Sequence, residues 1–318
     1  MSAASFRERP LNAFAMQTRR AAVLFAAALV ACRAKPTTQE RLKSFAFPFP
    51  ADTLRAETVV DGVGHYFIYS RQGPWAIHVL DVRLDQCNQV VAVKGVQSAV
   101  GRIKTTEMLR RLGAQRDVRG GVNADFFSLA NGVPANLLVM DGRLIAPPSR
   151  YPAFAIDSAG RPHIEKFLTN RDSFAIDDRA LRLESLTPFH PREAVGGRPR
   201  LLRDSAILAD VDTTGQAGFA TGRHPRTAVG IAGGGRRLLL VTVDGRQKPY
   251  SDGMTLRELA TLMLALGAPD ALNLDGGGST TMVTADPVSR ALRIANQPSD
   301  SAGERSVGDA LAIVKACR

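Results

Sequence analysis

Residues Asn273 to Met282 read Asn-Leu-Asp-Gly-Gly-Gly-Ser-Thr-Thr-Met, in which a short apolar run enters a carboxylate, three glycines and three hydroxyls. Three consecutive glycines cost backbone entropy on folding, and each tolerates a positive φ or the close approach of another group to the main chain. Beside Asp275, the amides of Gly276, Gly277 and Gly278 are expected to cradle a polar or anionic ligand, with Ser279 at its edge. A tight turn with hydroxyl caps is the plainer alternative, although such a turn needs one or two glycines and not three.

Other groups able to do chemistry lie at strand ends. Asp244 closes the apolar run Leu238–Val243 and precedes Gly245, Arg226 opens a run, and Arg305 precedes the last one. Asp125 follows Asn123 and is followed by Phe126 and Phe127. No Gly-x-Ser-x-Gly elbow is present, and no Gly-Lys-Ser/Thr follows the glycines, so serine-esterase and P-loop chemistries fall away. C-x-x-C and H-E-x-x-H spacings are absent as well.

The elements that must position these residues are mostly strands. Ala76–Leu84, Val90–Val96 and Val118–Phe127 alternate or run apolar. Three hairpins are predicted, at Asp141-Gly142, at Asp157–Gly160 and at Gly233–Gly235. Helices are predicted over Thr105–Leu112 and Thr255–Leu266, the second with Thr255 as cap and Gly267 as stop. Without regular strand–helix alternation the pattern predicts an α+β fold, a mostly antiparallel or mixed sheet with a few packed helices in one catalytic domain over 61–318.

At 318 residues, 45% apolar and 22% charged, the chain can bury a large core. Its net charge of +11 invites a nucleic-acid reading, but aromatics are only 6% and the basic residues are scattered, so no nucleic-acid partner is expected. A cationic surface suits anionic glycans or phosphoesters equally.

Met16-Gln-Thr-Arg-Arg20 followed by Ala21–Val30 reads as a signal segment within 1–31, with Met16 a better start than Met1. Leu29-Val-Ala-Cys32 resembles a bacterial lipobox, which predicts lipid attachment at Cys32 and a membrane-anchored lipoprotein; simple cleavage near Ala31 would give a free periplasmic protein. Residues 32–60 then read as a polar tether. Cys87 and Cys317 either pair in the oxidising compartment this implies or are separate buried residues.

Thr255-Leu-Arg-Glu-Leu-Ala260, Leu266-Gly-Ala268 and Asn273–Thr280 together resemble the signature of the phosphodiester glycosidase family, which includes the N-acetylglucosamine-1-phosphodiester α-N-acetylglucosaminidases. Asn123–Phe127, Ala194–Gly197 with Pro199, Arg226–Ala228, Val243–Gly245 and Glu304-Arg305 match in order, over roughly Ala76 to Val314. The resemblance implies an exported hydrolase that cleaves a glycosyl phosphodiester to a sugar and a phosphomonoester. It implies site character for Asn123, Arg226, Thr227, Asp244, Glu258, Asp275, Gly276–Gly278, Ser279 and Arg305.

Asp275 is the expected central carboxylate and Asp244 its partner, since glycoside cleavage commonly uses two. The departing phosphomonoester has a last pKa of about 6, so arginines and amides should matter more than a strong acid. Glu258 is a catalytic candidate by resemblance, whereas Thr255-x-x-Glu258 favours a capping box. Arg226 could hold phosphate or bridge a carboxylate, and Asn123 could be a turn residue. Asp309 and Asp125 stand where the family often has asparagine and glycine. No cofactor is expected; Mg²⁺ or Ca²⁺ between Asp244 and Asp275 is an alternative. A non-catalytic glycan-binding lipoprotein serving exopolysaccharide export or assembly is the alternative function.

Overall fold

The structure is a computed structural model and describes residues 37–84, 87–95, 98–170, 173–176 and 187–317. The signal segment, Arg19-Arg20 and Cys32 lie outside the described residues. Two twisted sheets stack face to face, and every recorded strand pairing is antiparallel. One has eight strands in the order Thr53–Val60, Val63–Ser70, Trp75–Arg83, Arg237–Val243, Arg226–Ala232, Asp270–Asn273, Arg200–Arg203 and Ala206–Ile207. The other has five: Leu292–Ile294, Met282–Ala285, Val118–Asn123, Ala310–Lys315 and Asn88–Val93. A second five-stranded sheet carries the hairpins predicted at 141–142 and 157–160.

The strand's alternation of side chains explains the layering, because the central strands are apolar along most of their length and both of their faces are buried. Leu238 and Leu240 point into the core between the sheets with Val229, Leu272, Val122 and Leu311. Leu239, Val241 and Val243 point the other way, against helix α3 (Leu256–Ala265). On the outer face of the five-stranded sheet, Ala310, Ala312 and Val314 meet Met108 and Leu109 of helix α2 (Thr105–Gly113). Burying one such Leu or Met side chain is worth about 1.5–3 kcal/mol. The α+β expectation holds in outline, but strands dominate and the helices cover only the two outer faces.

Two strands end earlier than their sequence suggests. Val118–Phe127 stops at Asn123, because the Asp125 amide turns to donate to Asp309 Oδ1 at 2.7 Å. The closing strand is broken at Gly308-Asp309 into Ser306–Val307 and Ala310–Lys315. Buried Lys94 donates its ammonium to the carbonyls of Gly101, Gly132 and Gly308 and anchors that break.

The tether expectation over 32–60 fails from Thr37 on. Thr38–Lys43 forms a helix, α1, opened by a capping box between Thr37 and Glu40. Its Arg41 reaches buried Asp81 at 3.2 Å, and Phe45 meets Tyr66 edge-on. Thr53–Val60 adds the edge strand. Polar composition hid a segment whose phenylalanines, Phe45, Phe47 and Phe49, pack on the core.

Candidate active site

Strand ends from both sheets meet at Asp275. Leu274 donates its amide to Thr227 O at 2.8 Å within the eight-stranded sheet; the next amide, that of Asp275, crosses to Ala124 O at 2.8 Å. Asn123 locks the crossing. Its Nδ2 donates to Asp275 O at 2.7 Å, while its Oδ1 accepts the Thr227 hydroxyl at 2.8 Å and the Thr281 amide at 3.0 Å. Asn123 and Thr227 are buried and engaged in these bonds, so they position the loop from beneath.

The glycines serve a different purpose from the one expected. Gly276 N donates to the Asp275 carboxylate at 2.9 Å and Gly277 N to Pro225 O at 2.9 Å, which leaves at most the Gly278 amide for a ligand. What requires glycine is close approach. A methyl on Gly278 would overlap the Arg305 guanidinium and the Asp300 carboxylate. Gly277, at φ +60, has the Arg246 guanidinium 3.2 Å from where its Cβ would be. The turn therefore packs two guanidiniums against bare main chain beside a carboxylate.

Asp275 is half-buried. Desolvation pushes its pKa up to about 6, against the Ser279 hydroxyl, the Gly276 amide and the charges of Arg305 and Arg198, which pull it down. Behind it lie two fully enclosed carboxylates. Asp125 accepts the amide and side-chain nitrogen of Asn136 at 2.8 and 2.6 Å. Asp309 is pushed up to about 7 by burial, and Asp275's charge also holds its proton. Asp125 is raised well above the ordinary range by burial and then by Asp309. Burial thus holds all three carboxyls above the ordinary range, and Asp125 and Asp309 titrate together as an interacting pair.

The raised pKa of Asp309 makes a signed prediction for stability. In the unfolded chain Asp309 ionises near its ordinary 3.8; in the folded protein it keeps its proton to about 7. Stability from this group is present below about pH 4 and is lost as pH rises to 7. Asp309→Asn, which accepts the same Asp125 amide, should match the wild type near pH 4 and exceed it at pH 8 by roughly 1–3 kcal/mol. Urea unfolding at both pH values measures this; a difference independent of pH would refute it.

Cations and rings surround the opening. The Arg198 guanidinium lies over Phe126 (4.9 Å), Tyr151 (5.0 Å) and Phe219 (5.7 Å) and donates to the Tyr151 hydroxyl at 3.1 Å. Asp300 holds Arg305 in a bidentate pair at 2.8 and 3.0 Å. Arg246 adopts a left-handed backbone, φ 60, with its guanidinium 3.4 Å from His224 Nδ1. His224 Nε2 faces Gly218 O at 3.0 Å, and desolvation lowers its pKa, so the neutral ring donates there and turns a lone pair toward Arg246. Arg198, Arg246, Tyr151 and Phe219 were not singled out from the sequence. Arg198 stands between Gly197 and Pro199, both already marked, and that position was the available signal.

Three expected site residues have other duties. Arg226 donates to the carbonyls of Met254, Phe219 and Gly222 at 2.8, 2.7 and 2.9 Å, and burial lowers its pKa to about 10. It staples the loop that carries Phe219. Asp244 is fully buried and accepts Asn296 Nδ2, Gln297 N and the Tyr250 hydroxyl at 2.9–3.2 Å. Burial pushes its pKa up to about 6. It reaches the glycine turn through Asn296, which also donates to Thr280 O at 3.2 Å. With both oxygens engaged by donors it is a poor cation ligand, and the described residues hold no cluster of three metal-ligating side chains.

Glu258 closes the capping box on Thr255, accepting the Thr255 amide at 2.9 Å, and pairs with Arg223 at 2.7 Å. Glu258→Ala should cost about 1–2 kcal/mol and leave kcat within about twofold. Unfolding and steady-state rates read the two effects separately; a kcat loss of a hundredfold in folded protein would restore a catalytic role.

A family model described as phosphodiester glycosidase matches residues 116–314, more than half of the chain. The chain belongs to the phosphodiester glycosidase family. The matched span holds the glycine turn, Arg198, Asp309 and the strands that converge on them. Mouse N-acetylglucosamine-1-phosphodiester alpha-N-acetylglucosaminidase is 29% identical over 172 residues, 51% of this chain and 31% of that protein. The chain thus spans under a third of this curated relative's length. Among solved structures, the zebrafish catalytic domain of the same name, auto-inhibited by its pro-peptide, superposes with a TM-score of 0.58 at 22% identity, covering 84% of this chain and 82% of that one. A hypothetical protein from Synechocystis superposes at 0.61 and 14% identity, covering 83% and 64%. At these identities the two structures establish a shared fold.

Proposed function

We propose that this protein hydrolyses a glycosyl phosphodiester, breaking the bond between the anomeric carbon and the phosphate oxygen and releasing a sugar and a phosphomonoester. The observation that carries the reading is a half-buried carboxylate, Asp275, at the family's glycine turn and within the field of the Arg305 and Arg198 guanidiniums. Glycoside cleavage builds positive charge at the anomeric carbon, which an ionised Asp275 stabilises. Negative charge grows on the departing phosphate, whose last pKa of about 6 makes a strong general acid unnecessary. Arg305, Arg198 and Arg246 supply charge-assisted hydrogen bonds there. Phe126 and Phe219 offer flat apolar faces for a sugar ring.

Incubation with a panel of methylumbelliferyl sugar phosphodiesters, with products resolved by mass spectrometry, tests the reading. Free sugar and methylumbelliferyl phosphate are expected; no product from any member of the panel would overturn it. Export to an oxidising compartment, with a lipid on Cys32, fits the signal-like segment and the Cys87–Cys317 disulfide. Cys32→Ala should then release the protein from the membrane fraction, and an unchanged distribution would remove the anchor.

A further inference from the structure

A cleft of about 310 Å³ opens beside the site, lined by Arg150, Tyr151, Lys166, Pro199, Arg200 and Arg203 among others. Its volume is within the range of small-ligand sites, roughly 300–1,000 Å³. Charge within it is unevenly committed. Arg200 is held by Glu165 and Asp270 at 3.1 and 2.6 Å, and Arg203 by the same Glu165 at 3.0 Å. Arg150 and Lys166 are exposed and have no acidic partner among the described residues. Asp210 is the one acidic residue in the lining. The cleft thus presents to solvent two cations that no described carboxylate neutralises.

Tyr151 is the wall shared with the active site. Its ring carries two guanidiniums close by, Arg150 at 4.9 Å and Arg198 at 5.0 Å. Its hydroxyl accepts from both, at 2.8 and 3.1 Å. Arg198 is, with Arg305, one of two arginines whose charge reaches Asp275. Pro199, also in the lining, accepts the Asn273 amide at 3.1 Å, two residues before Asp275. Two residues of extended chain span roughly 7 Å, so the Pro199 side of the cleft lies close enough to Asp275 for a glycan reacting there to reach it.

We infer that this cleft is a subsite for an anionic group on the glycan, a phosphate or a carboxylate borne beyond the scissile phosphodiester, held by Arg150 and Lys166. The inference rests on the glycosidase reading for where the reacting end sits, but it concerns binding alone. It implies that the preferred substrate is a polyanionic glycan and not a single neutral sugar on a phosphodiester.

Three disaccharide probes of equal size separate the possibilities: one neutral, one with a single phosphate and one with a uronate carboxylate. Equilibrium binding would be measured for the wild type and for the Arg150→Gln/Lys166→Gln double variant at low and high salt. Neither residue touches the reacting atoms, so hydrolysis of a neutral-sugar aryl phosphodiester should be unchanged. The wild type should bind both anionic probes at least about tenfold more tightly than the neutral one, and the variant should lose that preference. The preference should also weaken as salt screens it. Preference for only one anionic probe would identify the group recognised. Equal binding of all three by the wild type, or an undiminished preference in the variant, would overturn the inference. If no phosphodiester is hydrolysed while the preference holds, the glycosidase reading fails and the subsite stands.

Discussion

Asp275→Asn is expected to lower kcat by about a thousandfold or more while the fold survives, because a carboxylate facing an anomeric cation contributes on that scale. The amide keeps an oxygen for the Gly276 donor and has nearly the same shape, so the turn should persist. Near-native unfolding curves would confirm that. The wild type should also lose kcat/KM on the acid side with a midpoint near pH 6, as Asp275 takes up its proton, and the variant's residual rate should lack that limb. Asp244→Asn makes the informative contrast. Its amide would set donors against Asn296 and Gln297 in an enclosed site, so lost activity there should come with lost stability. Full activity in folded Asp275→Asn protein would remove this carboxylate from the mechanism.

Removing the disulfide should produce the largest single loss of stability. Cys87 and Cys317, with Cα atoms 5.0 Å apart, tie the segment after the last strand to the start of Asn88–Val93 across 230 residues of sequence. Ala316 N donates to Cys87 O at 2.8 Å, so the bridge extends an existing pairing. Closing so long a loop restricts the unfolded chain strongly, and loss of such a bond typically costs about 2–4 kcal/mol. Cys87→Ser/Cys317→Ser, or reduction of the wild type, should lower Tm by several degrees. If reductant leaves Tm where it was, the bridge contributes nothing to folding.

The sheets were legible because their cause is local. The apolar run Leu238–Val243 and the glycines at 142 and 233–235 mark strands and hairpins without reference to the rest of the chain. The capping box at Thr255 and Glu258 was readable for the same reason. The candidate residues were legible one by one, but what they bond to was not. The glycine turn and Arg226 stand where the sequence put them, yet the turn admits guanidiniums to the main chain and Arg226 binds three carbonyls.

What could not be read depends on groups distant in sequence. Asp125 meets Asp309 across 184 residues, and Arg41 reaches Asp81 from a segment whose composition suggested a tether. Neither partner carries a local sign of the other. Arg198 falls between these cases. Its neighbours were marked, but the three rings that hold it come from 126, 151 and 219 and converge only in the folded chain.

Hydrolysis in H₂¹⁸O measures most directly which bond breaks. Attack at the anomeric carbon, with Asp275 beside it and arginines on the departing phosphate, places the label in the anomeric hydroxyl of the released sugar and none in the phosphomonoester. Label found in the phosphate, with unlabelled sugar, would mean attack at phosphorus and would contradict the glycosidase mechanism.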